Sequence, residues 1–398
     1  MENNNFEKEA LERSELQKSS PKPQDKPRQS DEIPDFDSID HTDAEEVHHE
    51  PKKKSKKILW SLAFVLIAAL TVWAVTSQNE SFSLVSFVKF LGTLDVKYVI
   101  LAFLGMIGFI LFEALALRTI GKSFGYKRSI GRNFTYSSAD IYFSAITPSA
   151  SGGQPASALF MVQDGIPASM TTVILIVNLV MYTFAIIVIG LVSLVLSPSV
   201  FLHFSTLSQI LIIVGCLVQV LIAIFFILVL RHPKILYKIC SFFLTILAKL
   251  HIIKNLAAKK EGLGKSLKTY RRYVHQIRGK KWMLVRALIF NILQRASLIS
   301  VTVFAFLASG GAVENAVEMW VLQSMVVIGT NTIPIPGAMG VSEFMMQDAF
   351  GMLMTETLAV NLMLLSRSVS FYFCVIICGL TFVIRCLLSK YLNRKAVK

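Results

Sequence analysis

Charge is scarce in most of this sequence. Asp, Glu, Lys and Arg together make 17% of its 398 residues, against about a quarter in a typical soluble domain. The acids are scarcest: residues 1–57 hold 15 of them, leaving 11 for all of 58–398, beside 29 Lys and Arg. Cysteine is too sparse for a disulfide framework. There are five, an odd number, and Cys216, Cys240, Cys374, Cys378 and Cys386 all sit in or beside apolar runs, where small buried side chains are the plain reading. No His/Cys spacing suggests a metal site. There is no phosphate loop, no Gly-x-Ser-x-Gly elbow and no HExxH, and Gly152-Gly153 lacks the strand–turn–helix context of a dinucleotide fingerprint. Neither a catalytic site nor a cofactor is therefore expected. No nucleic-acid module accompanies the net charge of +14, so direct nucleic-acid binding is not expected either.

What is abundant is hydrocarbon: 54% of residues are apolar and the mean hydropathy is +0.57. Several runs reach the roughly 20 residues that cross a bilayer. The pattern predicts an all-α polytopic membrane protein with about six full spans plus two interrupted segments. Residues 1–57, polar and dotted with Pro21, Pro23, Pro27 and Pro34, read as a disordered tail. The transmembrane domain covers 58–388, and 389–398 is a basic C-terminus. Spans are expected at Ile58–Thr76, Tyr98–Ile120, Ala168–Leu196, Leu207–Leu230, Trp282–Leu307 and within Glu356–Leu388. Residues 77–97 are expected as an external connection. Lys and Arg crowd 52–57, 118–132 and 231–281, the last holding 14 of them and one acid, Glu261. Basic loops stay cytoplasmic, which puts both termini inside. Ile235–Ile252 reads as an interfacial amphipathic helix.

The two interruptions carry the argument. Residues 146–165 contain Pro148, Gly152, Gly153, Gln154 and Pro155, then Phe-Met-Val-Gln-Asp at 160–164. Residues 332–351 contain Pro334, Pro336, Gly337 and Gly340, then Phe-Met-Met-Gln-Asp at 344–348. Proline cannot continue a helix, and glycine allows tight turns and close approach. Broken backbone at membrane depth survives only inside protein or beside a watery cavity. Each break is expected to lie in a re-entrant hairpin, Phe134–Thr147 with Ala156–Asp164 and Val317–Gly329 with Val341–Phe350. Span, hairpin, span over 98–196 and again over 282–388, with opposite orientations, predicts an inverted repeat whose breaks meet near the midplane.

Ionisable residues at membrane depth are costly and are functional candidates. Glu113, Arg295, Glu343 and Arg367 are the deepest; Asp140, Asp164 and Asp348 lie in the hairpins. Arg295 and Arg367 suit a lipid phosphate, which arginine holds bidentately. Glu113, Glu343 and Gln154 complete the headgroup candidates. The bland alternative is that Glu113 and Glu343 merely neutralise the two arginines.

At the two breaks, Thr147-Pro148-Ser149-Ala150-Ser151-Gly152-Gly153-Gln154-Pro155 and Pro334-Ile335-Pro336-Gly337-Ala338-Met339-Gly340-Val341-Ser342-Glu343, the sequence resembles the lysylphosphatidylglycerol synthase transmembrane-region family, the membrane part of the multiple peptide resistance factor proteins. Some relatives carry an acid where Gln154 stands. The resemblance implies a bacterial inner-membrane protein that translocates phosphatidylglycerol or its aminoacylated form, linked to resistance to cationic antimicrobial peptides. Its partners would be anionic phospholipid and the membrane, with homo-oligomerisation open. In full-length members a cytosolic domain after the last span transfers lysine from lysyl-tRNA to phosphatidylglycerol. The sequence ends at Lys398, so the chain by itself is not expected to be that lysyltransferase. A transferase acting with a partner chain, and a membrane scaffold or regulator, are the alternatives.

Overall fold

A computed structural model describes residues 84–147, 151–249, 256–277 and 279–396. The expected tail, the first span and Pro148 lie outside the described residues. All the described residues are helical or in turns, with no strand, and the chain is an all-α polytopic membrane protein. Five described helices are long and apolar enough to cross a membrane.

The helices are α1 (Leu84–Gly92), α2 (Val96–Ser123), α3 (Ile130–Ile146), α4 (Gly153–Gln163), α5 (Ala168–Leu196), the single turn α6 (Val200–His203), α7 (Thr206–Arg231), α8 (Pro233–Lys249), α9 (Leu256–Ile277), α10 (Lys281–Ala308), α11 (Ala316–Thr330), α12 (Val341–Phe350), α13 (Glu356–Arg367) and α14 (Cys374–Ala396). Their ends follow local chemistry. Asp95 caps α2 by accepting from the Lys97 N–H at 2.9 Å, and Gly125, at φ +92°, turns the chain after it. Ser129 caps α3 and Ser205 caps α7.

Three features depart from the sequence expectations. Residues 84–92, expected within a loop, form α1; nine residues are too few to register as a periodic apolar pattern. The basic connection 231–281 holds two helices instead of one, because Leu256–Ile277 is amphipathic yet too polar for hydropathy to reveal. The last hydrophobic region is not one continuous α-helix: Ser368–Phe373 is π-helical between α13 and α14, a bulge seen often at functional sites.

The core is built on α2 and α10, the most extensive helix pair. Gly105 and Gly108 allow it. A Cβ on Gly105 would lie 3.3 Å from the Ser297 carbonyl, and one on Gly108 3.2 Å from the Ser297 hydroxyl, so small residues set the approach as they do between membrane helices. Around this pair the contacts repeat. Helix α3 packs on α2, α4 and α14; α11 packs on α10, α12 and α5. One apolar cluster, from Ile186 and Ile212 to Met345 and Met363, fills the space around α11 and α12. A second joins Met106 and Ile110 to Val369, Cys374 and Cys378. Helix α7 stands at the edge: only 22% of its apolar window is buried, and Leu217, Leu221 and Ile224 face outward, as lipid contact requires.

Candidate functional site

The second interruption borders a cavity of about 500 Å³, and the first reaches it only through the end of the preceding helix. Ser144 and Ala145, at the end of α3, form one side; Pro334, Ile335, Gly337 and Ala338 form another. Helix α3 also packs directly on the 3₁₀ turn Pro336–Ala338. Arg295 of α10 and Arg367 of α13 both line the cavity, with Val218 and Ile222 of α7 on its lipid-ward wall. Nothing acidic lines it among the described residues.

The second break is held by a closed set of bonds. Glu343, in the first turn of α12, accepts from the Gly340 N–H at 2.6 Å and from the Ser342 hydroxyl at 3.1 Å. Its other oxygen pairs with Arg367 Nε at 2.8 Å. Arg367 also donates to the Gly337 carbonyl at 3.0 Å, and its guanidinium lies 4.9 Å from the Phe371 ring. Two backbone groups freed by the prolines are thus satisfied by one ion pair, as a low-dielectric setting demands.

Arg295 is different. It is 9% exposed, and its Nε is buried without a partner. The Tyr182 ring lies 4.1 Å from the guanidinium carbon and the Phe109 ring 5.4 Å. These rings stack against the guanidinium and leave its Nε without a partner. No carboxylate lies in ion-pair range of it among the described residues. Glu113 does not line the cavity; it accepts from Gln294 Nε2 at 3.0 Å, near enough to feel the charge of Arg295 without bonding to it. Asn291, one turn before Arg295, donates to Asn178 at 3.1 Å and to the Ala287 carbonyl at 2.8 Å.

The first break is built on Asp140. It accepts from Gln154 at 2.7 Å and from Ser144 at 3.3 Å, and it lies beside the Glu113 carboxyl. Gln154 therefore faces Asp140 and is not among the cavity residues. Gly153 sits so close to Asp140 that a Cβ would lie 2.5 Å from its carbonyl oxygen. The Gly152 N–H donates to Thr147 Oγ1 at 2.9 Å. Pro155 lies within the first turn of α4, where its missing N–H costs no helical bond. The paired aspartates of the motifs anchor the hairpins: Asp164 pairs with Arg385 of α14 and accepts from Tyr136 at 2.6 Å, and Asp348 accepts from the Ser205 hydroxyl at 2.7 Å.

Sequence reasoning missed Tyr182, Gln323 and Asn331. Tyr182 donates to Asn331 Oδ1 at 2.7 Å, joining α5 to the second break. Gln323 is 8% exposed, lines the cavity, and has a buried Oε1 without a partner. The available signal was an amide in an otherwise apolar hairpin, and an Asn directly before the Thr332-Ile333-Pro334 break.

The profile of the family described as "Lysylphosphatidylglycerol synthase TM region" matches residues 47–378. The chain belongs to that family. The match spans every described transmembrane helix and ends within the last, taking in both interruptions and both cavity arginines. No curated protein matches the sequence. Membership agrees with the membrane-embedded helical fold.

Proposed function

We propose that the chain is a flippase-like translocator of phosphatidylglycerol or its aminoacylated form in the bacterial inner membrane, with both termini cytoplasmic. The observation that carries this reading is Arg295: a buried guanidinium with an unpartnered Nε and no carboxylate in ion-pair range among the described residues, in a cavity lined by the second break and the end of α3. A phosphodiester supplies the missing acceptor. The two hairpins enter from opposite faces in this reading, so that the cavity opens alternately by rocking one half against the other. A link to cationic-peptide resistance follows if sidedness of a charged lipid is what the chain controls.

The test is expression in cells that lack aminoacyl lipids, measuring both lipid composition and leaflet distribution. Altered distribution without new lipid is the expected result. Arg295→Ala, inserted at normal levels, should reduce it by about 10- to 100-fold, the worth of a hydrogen bond to a charged group. Unchanged activity in Arg295→Ala removes Arg295 from the site. New lysyl-lipid would favour the transferase instead, and no change in either quantity would leave the regulator.

A further inference from the structure

Two buried acids stand outside the cavity lining. Glu113 of α2 and Asp140 of α3 are 5% and 8% exposed and lie side by side. Two carboxylates in contact where water is excluded repel too strongly for both to stay ionised, so such a pair holds a proton between its members. The ionisable groups facing the pair are Arg295 from α10, Tyr182 from α5, and Cys374 and Cys378 from α14. Tyrosine and cysteine carry no charge at neutral pH. Arg295 is therefore the one charge set against the two acids among the described residues. A single shared proton makes the group of three neutral. Gln294, 2% exposed, fits that state: its Nε2 donates to Glu113 at 3.0 Å, and its Oε1 is buried without a donor. Turning the amide over would let a protonated Glu113 donate to Oε1.

The pair also adjoins both the first break and the cavity. Asp140 accepts from Gln154 and Ser144, and Gly153 packs so closely that a Cβ there would overlap the Asp140 carboxyl. The first break thus rests on this acid. Ser144 lines the cavity, so one hydroxyl separates Asp140 from it. Glu113 in turn feels the charge of Arg295, a cavity residue. A phosphodiester seated on Arg295 would cancel the positive charge that offsets the acids. The group regains neutrality by taking a second proton from solution. We propose that Glu113 and Asp140 form a proton-binding site, and that an anionic lipid and one proton occupy the chain together. The proton adds to the ionised carboxyl of the pair through the cavity and leaves when the lipid leaves. Lipid and proton together carry no net charge. Linkage is reciprocal, so a ligand that draws in a proton binds more tightly as pH falls. The assignment rests on the translocator reading above and adds a coupling ion to it.

Phosphatidylglycerol added to the full chain in detergent, in weakly buffered solution with a pH indicator, supplies the test. The wild type should take up about one proton per lipid bound. Its affinity should rise as pH falls between about 8 and 5, by up to about ten-fold per unit. Glu113→Gln and Asp140→Asn, which keep shape and hydrogen bonding, should abolish the uptake and flatten the pH dependence. Lipid that binds the wild type with no proton uptake and a flat affinity overturns the proposal without recourse to any variant. Affinity that follows sodium at fixed pH, with no proton taken up, overturns it as well, by making the carboxyls and the Gln294 oxygen a sodium site. Uptake that persists in both variants puts the proton elsewhere and ends the assignment to this pair. These three outcomes leave the translocator reading standing. Failure of phosphatidylglycerol to bind at any pH, or binding that ignores Arg295→Gln, sinks that reading and the coupling with it.

Discussion

Gly337 and Gly340 sit three residues apart in the second break, and both have positive φ, +60° and +83°. Their surroundings differ. A Cβ at Gly340 would meet nothing within 4 Å, whereas one at Gly337 would lie 2.5 Å from the Phe371 ring. Gly340→Ala therefore costs only the backbone strain of φ +83° with ψ −56°, about 1–3 kcal/mol. Gly337→Ala adds overpacking of about 1–3 kcal/mol and pushes Phe371, a cavity residue next to Arg367, out of place. Thermal unfolding of both variants in one detergent checks this. Equal losses would mean that Phe371 does not press on the turn. At this scale the sequence allowed Arg295 and Arg367 to be singled out, because charge at membrane depth is conspicuous. It could not say which of them is already paired. That depends on Glu343 lying in the first turn of α12, facing back to Gly340, and on Glu113 turning to Gln294 instead of Arg295.

Helix α7 shows what one glycine does for an element. Gly215 rests against the Ile328 carbonyl and lies near Gly329 of α11; a Cβ there would overlap that carbonyl. Backbone cannot swing aside as a side chain can, so Gly215→Ala must separate α7 from α11. The α7 residues Val218 and Ile222 wall the cavity, so the gap would open it toward lipid. The expected result is a loss of about 1–3 kcal/mol in stability, read as a lower unfolding temperature, with faster exchange of bound lipid. An unaltered unfolding temperature would show that α7 moves freely on α11. The spans α2, α5, α7 and α10 were legible to within three residues at either end, because twenty apolar residues admit few alternatives. The π-helical stretch Ser368–Phe373 was not. It contains neither proline nor glycine; what marks it is tertiary contact, Phe371 against Gly337 and Phe373 on Phe103 at 4.5 Å.

The whole molecule is held together across its middle. Helix α2 pairs with α10, α3 packs on α14, and α11 packs on α5, so each half supplies surfaces that the other covers. The cavity follows the same division. Ser144 and Tyr182 come from the first half; Arg295, Gln323 and Arg367 come from the second. The connection between halves, through α8 and α9, carries no cavity residue among those described. Cutting the chain after Lys249 and co-expressing the two pieces should therefore give a complex, since membrane helices insert singly and then associate by packing. The pieces should co-purify in equal amounts and bind phosphatidylglycerol together, and neither should bind it alone. Gly105→Leu in the first piece should weaken recovery of the second, because the bulk falls where the Ser297 carbonyl approaches at 3.3 Å. If both pieces insert but do not associate, the halves are joined by chain connectivity and not by the α2–α10 seam. If the second piece alone binds lipid as tightly as the pair, the Tyr182 side of the cavity contributes nothing to the site.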